Sequence, residues 1–213
     1  MSGRAHDGDE LDGQSIGEFL GQLAARMAAP GAGATAAVEA ALSASLVAMV
    51  GRFTKGEEHA DAVREIVATA DGLRDACLRS AADDQAAFSA VAEAMKLPHA
   101  TADEQEERRR RLSQVQLEAT GPPLAILEAA AELLALAARV LPIANPNLVS
   151  DVAAATAAAR AAATTARLAV EANLSGISDE GARAHLTSAV AVVEDLARRA
   201  DDVEAEVRQR MRR

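Results

Sequence analysis

Aromatic residues are almost absent from this chain of 213 residues, which has three Phe and neither Trp nor Tyr. Half of its residues are nonetheless hydrophobic, so the core must be built from Ala, Leu and Val. Such residues suit close packing between helices and suit sheets poorly. The composition therefore predicts an all-α protein.

Cysteine and lysine are also scarce, with one Cys and two Lys. Cys77 alone cannot form a disulfide framework or a thiolate metal site within one chain, and we expect it to be a small core residue in a reducing cytosol. The four histidines show no pair at metal-ligand spacing, so no metal site is predicted. Lys55, Lys96 and Arg52 are the best sources of local positive charge.

The balance of charge is negative, with a formal net charge of −10. This disfavours nucleic acid as a partner, because a polyanion requires the opposite balance. Residues 1–14 are polar and are expected to form a disordered arm without a secretory signal. The apolar runs 34–50 and 152–166 carry Glu39 and Arg160, which favours buried bundle helices over membrane spans. We therefore expect a soluble, cytoplasmic protein.

Apolar positions recur at helical spacing along most of the chain, and Gly and Pro separate the periodic stretches. Helices are predicted over residues 16–27, 34–53, 58–96, 103–119, 124–140, 147–174 and from 178 nearly to 213. The short connections predict one domain of long antiparallel helices over residues 15–213. Two of these helices, 34–53 and 147–174, are apolar on more than one side, which predicts a homodimer.

A turn containing Pro30, Gly31 and Gly33 leads directly into a predicted helix. Glycines allow close approach of the backbone to an anion, and the free amides of a helix N-terminus favour negative charge. An ordinary turn between antiparallel helices explains the same residues. The spacing leaves both interpretations open.

A second polar segment, Asn145-Pro146-Asn147-Leu148-Val149-Ser150-Asp151, opens another alanine-rich helix. One Asn is explained as a helix cap, and Asp151 in the first turn interacts favourably with the helix dipole. The cap leaves the other Asn and Ser150 unexplained, so a binding role is an equally good interpretation.

Asp83 and Asp84 are adjacent within a predicted helix, so at most one of them points inward. An inward carboxylate needs a partner and is a candidate acid or base, whereas an outward pair is merely solvated.

Further along, the basic run 108–111 follows Glu104, Glu106 and Glu107. That pattern predicts i,i+4 ion pairs on an exposed, solubilising face.

Short segments distributed in order over residues 15–180 resemble the formiminotransferase-cyclodeaminase / methenyltetrahydrofolate cyclohydrolase family. They are Glu18-Phe19-Leu20, Ala29-Pro30-Gly31-Ala32-Gly33, Met49-Val50, Thr54-Lys55-Gly56, Asp84 with Ala87-Phe88-Ser89-Ala90-Val91, Leu97-Pro98, Ala119-Thr120, Pro123-Leu124, Asn145-Pro146-Asn147 with Ser150-Asp151, and Asn173-Leu174-Ser175-Gly176-Ile177. The resemblance implies an all-helical, dimeric domain. It also implies chemistry at the N5/N10 bridge of tetrahydrofolate, without a metal or redox cofactor.

The resemblance further implies roles for individual residues. Asp151 and Asp84 are the implied acid/base residues. The implied substrate-binding residues are Gly31, Gly33, Asn145, Asn147, Ser150, Asn173 and Lys55, with the glycine turn facing an anionic part of the folate. We expect the acidic and amide side chains to share one solvent-reachable hollow, within one chain or between two copies.

Several positions depart from the family pattern. Ala32 and Ala34 stand where a glycine and a serine are usual, and Ala169 stands where an asparagine is usual. Gly56 is followed by acidic residues instead of a lysine-rich segment. These departures leave two alternatives beside a folate enzyme: a non-catalytic paralogue that serves as a dimeric folate-binding or scaffold module, and an enzyme for a related, less anionic substrate.

Overall fold

The computed structural model of the protein describes residues 13–27 and 29–212. The described residues form eight α-helices and no strand. The helices are α1 (Ile16–Leu23), α2 (Ala32–Phe53), α3 (Ala60–Met95), α4 (Ala102–Glu118), α5 (Gly121–Val140), α6 (Val149–Leu174), α7 (Glu180–Val190) and α8 (Val193–Arg210). The predicted all-α class is confirmed. The predicted disordered arm lies, apart from Gly13 and Gln14, outside the described residues.

Side chains placed just before the helices explain several of their starting points. Ser15 and Glu18 form a reciprocal capping box at α1, and Thr101 and Glu104 form another at α4. The Asp179 carboxylate accepts the Ala182 amide at 2.9 Å and caps α7. Such caps satisfy amides that have no partner within the helix.

Helix α2 lies at the centre of the bundle, where it packs against α3, α5 and α6. It is long and apolar enough to span a membrane by length and composition alone, with a mean hydropathy of 1.6, and 61% of that stretch is buried in the bundle. Its inward face is mostly alanine. The buried alanines of α2 are Ala34, Ala36, Ala37, Ala40, Ala41, Ala44 and Ala48. Small side chains allow close helix contacts, as the composition predicted.

Contacts along α2 show that α3 and α6 both run antiparallel to it. Gly33, at the start of α2, lies against Asp84, and Gly51, near its end, lies against Val67. The Thr165 hydroxyl of α6 donates to the Glu39 carboxylate of α2 at 3.0 Å. Beyond that contact, the C-terminal end of α6 lies against α4, and α4 also packs on α3.

Helices α5 and α8 complete the bundle. Helix α5 runs antiparallel to α3 and helix α8 runs antiparallel to α6, so both run in the same direction as α2. Arg139 near the end of α5 pairs with Glu65 near the start of α3 at 3.1 Å. Arg167 of α6 pairs with Glu194 near the start of α8 at 2.7 Å. The α5–α6 connection, residues 141–148, therefore lies near the end of α2 and the start of α3.

The predicted helix boundaries were wrong at three places. Helix α5 begins at Gly121 rather than Leu124, because proline is tolerated in the first turn of a helix, where its missing amide hydrogen has no partner to lose. Helix α1 ends at Leu23 rather than Met27, because Phe19 is its only fully buried side chain and a short helix without tertiary packing does not extend. The predicted final helix is two helices with a break at Ala191 and Val192. No Gly or Pro marks that break; it permits Val190 and Val193 to be buried together.

Candidate active site

The carboxylate of Asp84 lies directly against the first turn of α2. The Ala34 amide donates to it, and a Cβ at position 33 would overlap it. The N-cap residue of α2 is Gly31, which supplies no side-chain cap, so Asp84 of α3 provides one from a neighbouring helix. The anion at the predicted glycine turn is therefore a side chain of the protein itself. Gly33 provides its space, whereas a Cβ at Gly31 would meet nothing.

Burial distinguishes Asp84 from its neighbour. Asp83 is exposed and Asp84 is partly buried, so one of the two points inward. Burial raises the pKa of Asp84 above the ordinary 3.8, and the Ala34 hydrogen bond offsets this only in part. A carboxyl group with a raised pKa accepts and returns a proton more readily near neutral pH than an ordinary aspartate does.

Glu39 is a second partly buried carboxylate, and sequence reasoning missed it as a site residue. Burial raises its pKa above 4.5, and the hydrogen bond from Thr165 opposes the shift. Among the described residues, Asp84 and Glu39 are the acidic groups for which a raised pKa is resolved. The available signal was a lone carboxylate in an apolar helix, which must find a partner when it is buried. Thr165 also lines a groove of about 410 Å³ between α6 and α8.

Asn173 and Gly176 lie at the C-terminal end of α6. The Asn173 side-chain amide donates to the Ala169 carbonyl at 2.9 Å, one turn earlier in the same helix. At Gly176, a Cβ would overlap the side-chain amide of Gln116 of α4. Gly176 therefore permits the close contact of α6 with α4, in addition to following the last helical residues of α6 as predicted.

The other predicted site residues lie near the α5–α6 connection. The Asn145 side chain accepts the Asn147 amide at 3.0 Å and caps the short 3-10 helix Pro146–Leu148 that precedes α6. The predicted Asn cap of α6 itself is wrong, because Leu148 is its N-cap and no side chain caps it. Ser150 is exposed and Asp151 is partly buried in the first turn of α6. Lys55 is exposed just after α2.

These residues form two groups at opposite ends of the bundle. We call them the Asp84 end (Gly31, Gly33, Asp84 and Asn173) and the Asp151 end (Lys55 and residues 145–151). From the level of the Glu39–Thr165 contact, Gly33 lies six residues one way and Asp151 fourteen residues the other way. At 1.5 Å per residue, Asp84 and Asp151 are about 30 Å apart along the bundle. The expectation of one shared hollow is therefore wrong within a single chain.

The predicted sources of positive charge are largely neutralised. Arg52 pairs with Asp71 and Lys96 pairs with Glu93, each at 2.5 Å. In the basic run, the predicted i,i+4 pairing was wrong because the pairs are i,i+3. They are Glu106–Arg109 at 2.6 Å and Glu107–Arg110 at 2.7 Å. Arg108 instead donates to the Met95 carbonyl of α3.

Cys77 is buried with 2% of its surface exposed, as predicted for a core residue. Burial raises its pKa to about 11, so its thiol is poorly reactive near neutral pH. Over residues 13–27 and 29–212, no three His, Cys, Asp or Glu side chains gather where they could hold a metal ion.

The eight described α-helices make this protein an all-α helical bundle. Comparison of its sequence with known protein families identifies the family. The model of the formiminotransferase-cyclodeaminase family matches residues 15–192. That range includes both ends of the bundle and all of the predicted site residues. The chain belongs to this family.

Two relatives give the family its chemical context. The chain is 32% identical over 138 residues to a methenyltetrahydrofolate cyclohydrolase of Methylorubrum extorquens, a match covering 62% of this chain and 66% of the relative. It also matches the crystal structure of formiminotetrahydrofolate cyclodeaminase from Thermotoga maritima. That match has a TM-score of 0.79 and 25% identity, and it covers 94% of this chain and 97% of the other. The fold is therefore shared along nearly the whole length of both chains.

Proposed function

We propose that the protein is a folate one-carbon enzyme that acts at the N5/N10 bridge of tetrahydrofolate. Its activity is either the hydrolysis of the 5,10-methenyl bridge or the release of ammonia from the 5-formimino group. Relatives named for each activity support this reaction class. The observation that carries the proposal is the partly buried Asp84 carboxylate, held against the start of α2 with its pKa raised.

Both reactions pass through a tetrahedral carbon between the two nitrogens. In hydrolysis, water adds to the bridge carbon, the water gives up a proton, and one carbon–nitrogen bond breaks as the nitrogen accepts a proton. In deamination, N10 attacks the formimino carbon and ammonia leaves with a proton. Asp84 takes up and returns that proton, a role for which its pKa is suited. As the family resemblance implies, the proposal includes no metal or redox cofactor.

A second proton-transfer group is available on the same half of the bundle. Glu39 lies about 9 Å from Gly33 along α2, from the rise per residue of a helix. Its pKa is raised, and Thr165 fixes its carboxylate. Asp84 and Glu39 are therefore two carboxyl groups of raised pKa on the same half of one chain, Asp84 on the α3 side of α2 and Glu39 on its α6 side, whereas Asp151 requires a second copy.

A homodimer would unite the two ends. Leu42 lies one turn after Glu39 and Leu168 lies one turn after Thr165, and each has 54% of its surface exposed. This apolar face of α2 and α6 is suited to pairing with itself. A two-fold axis perpendicular to the bundle reverses its direction. When that axis lies midway between Asp84 and Asp151, near the level of Leu42, the Asp84 end of one copy meets the Asp151 end of the other. In that arrangement Asn145, Asn147, Ser150, Asp151 and Lys55 bind the folate beside Asp84 of the first copy.

A non-catalytic folate-binding or scaffold module is the second candidate. The specific observation that favours it is the hydrogen bond from Ala34 to Asp84, because a capping carboxylate has a sufficient structural reason to be present. The acidic residues after Gly56, Glu57 and Glu58, also make that segment unsuited to an anionic ligand. In this case the fold is retained and folate is bound without turnover.

Turnover of the two folate substrates, measured side by side, distinguishes the candidates. Purified protein is mixed with 5,10-methenyltetrahydrofolate or with 5-formiminotetrahydrofolate, and the absorbance of the methenyl group is followed. An enzyme accelerates the disappearance of the methenyl group from the first substrate or its formation from the second. Binding of either folate in calorimetry without acceleration identifies a binding module. If the protein neither binds a folate nor accelerates either reaction, the enzyme and the folate-binding module are both contradicted, and a purely structural scaffold is left.

A further inference from the structure

A cleft of about 560 Å³ lies between α4 and the turn that follows α6. The cleft, which we call the arginine cleft, is lined by Arg108, Arg109 and Arg183, with Gln116 at the side where α6 ends. Its size is within the range of small-molecule sites in proteins. No acidic side chain lines it, although the chain carries a net charge of −10.

Two of these arginines are oriented by backbone carbonyls. Arg108 donates to the Met95 carbonyl at 3.2 Å, and Arg183 donates to the Ile177 carbonyl at 2.7 Å. A carbonyl fixes a guanidinium group without cancelling its charge, and the group has further donors for a ligand. The nearest carboxylate to Arg183 is Glu180 at 3.7 Å, while Arg109 is paired with Glu106 at 2.6 Å on the rim.

The wall opposite α4 is held in place by two contacts. The Ser178 amide donates to the Ser113 hydroxyl of α4 at 2.7 Å. Gln116 occupies the space that a side chain at Gly176 would fill. The Asp179 carboxylate accepts the Ala182 amide at the nearby start of α7, and the permanently charged donors that line the cleft are guanidinium groups. Such groups bind planar carboxylates in a bidentate manner.

We propose that the arginine cleft binds a ligand that carries several carboxylates. Resting on the function proposed above, the occupant is the glutamate tail of the folate substrate. The charge at the other end of the molecule supports this placement, because Glu57 and Glu58 follow Gly56 there and would repel such a tail.

The cleft is also near Asp84. Helix α4 runs back along α3 from the Arg108–Met95 contact, so Gln116 lies beside α3 at about residue 87, one helical turn from Asp84. A folate whose bridge carbon is at Asp84 can therefore extend its tail along α4 into the cleft.

Binding of tetraglutamate peptide, measured by calorimetry, tests the cleft without using activity. We expect the wild type to bind the peptide and the double variant Arg108→Gln/Arg183→Gln to bind it at least about tenfold more weakly. The matched control is Arg64→Gln/Arg199→Gln, which removes the same charge from exposed positions elsewhere and should bind as the wild type does. Equal binding by the two double variants, or no binding by the wild type, would overturn the proposal.

Two further measurements test the proposal without relying on the folding of a variant, and they distinguish carboxylates from other anions. Side-chain NMR signals of Arg108 and Arg183 in the wild-type protein should shift with tetraglutamate, and unshifted signals contradict the proposal even if the variant does not fold. Inorganic phosphate should bind more weakly than the peptide. Phosphate that binds as tightly would show an unspecific anion site and overturn the assignment to carboxylates.

Kinetics with folates of different tail length separates this proposal from the proposed function. For the wild type, KM for the methenyl folate should fall when a tetraglutamate tail replaces the single glutamate, and the cleft variant should lose that difference. Turnover with equal KM values and no peptide binding leaves the enzyme and removes the cleft. Peptide binding without turnover leaves the cleft as a carboxylate site and removes the enzyme.

Discussion

The two ends of the bundle contain similar side chains in different environments. At the Asp84 end, a carboxylate is partly buried over Gly33 and its pKa is raised. At the Asp151 end, the Asn145 side chain accepts a hydrogen bond from the Asn147 amide, and Ser150 and Lys55 are exposed. Each end includes the N-terminus of a long helix. That of α2 is capped from a neighbouring helix, whereas α6 follows a short 3-10 helix that Asn145 caps locally.

This difference shows why residue type alone does not identify a site. A local cap requires only the residues beside it, and water remains available to every group in it. A cap supplied by another helix must be buried between the two, and burial is what changes the acidity of the carboxylate. The Asp84 end therefore has altered chemistry, and the Asp151 end offers hydrogen-bonding groups at the surface.

The largest effect is expected from Asp84→Asn. If Asp84 transfers the proton, its loss should lower kcat by about 10²–10⁴-fold. The matched control is Asp83→Asn, which changes the exposed neighbour and should retain wild-type turnover. Absorbance of the methenyl group measures both. Equal losses in the two variants would mean that the Asp84 end has no special role.

A mixing experiment tests whether the two ends meet between copies. Asp84→Asn and Asp151→Asn are each expected to be impaired, because every site in either homodimer lacks one carboxylate. When the subunits are mixed and exchanged, heterodimers have one intact site each, so about a quarter of the wild-type activity should return. No recovery after exchange, verified by mass spectrometry, would show that Asp84 and Asp151 do not combine in one site between two copies.

A smaller effect is expected from filling the space over Gly33. Gly33→Ala forces the Asp84 carboxylate away and should lower the free energy of unfolding by about 1–3 kcal/mol. Gly72→Ala in α3 is the control, because its Cβ meets nothing and should stabilise the helix by about 0.5–1 kcal/mol. Urea unfolding compares them. A Gly33→Ala variant as stable as Gly72→Ala would contradict the close contact.

The smallest expected effect is on stability as a function of pH. The folded-state pKa of Asp84 is raised, so its contribution is fully present below the ordinary value of 3.8 and is lost as pH rises through the folded value. Asp84→Asn does not titrate. The wild type should therefore lose stability relative to Asp84→Asn as pH increases through this range, as measured by thermal unfolding. The opposite trend would mean that the carboxylate is stabilised in its charged form.

Much of the fold could be predicted from the sequence, because Gly and Pro mark most helix ends and the composition requires a helical core. The break before α8 could not, because it has no local signal and depends on burying Val190 and Val193 together. The extent of α1 failed for the related reason that its exposed apolar positions lack tertiary packing.

The candidate site could be predicted only in part. The sequence indicated Asp84 and the glycine turn as separate features. That the Asp84 carboxylate lies in the space over Gly33 depends on the register of α3 on α2, which the sequence does not show. The role of Arg108 was missed because charge spacing along a helix does not indicate a carbonyl on a neighbouring helix. Glu39 was missed because its partner, Thr165, is distant in sequence.

Direct titration of Asp84 tests the central claim most plainly. The carboxyl carbons are labelled, and the signal that disappears in Asp84→Asn is followed by NMR as pH is varied. Because the carboxylate is partly buried, we expect a midpoint clearly above the ordinary 3.8 of an aspartate. A midpoint at or below that value would show that the hydrogen bond at the start of α2 outweighs burial, and that Asp84 is a cap rather than a proton-transfer group.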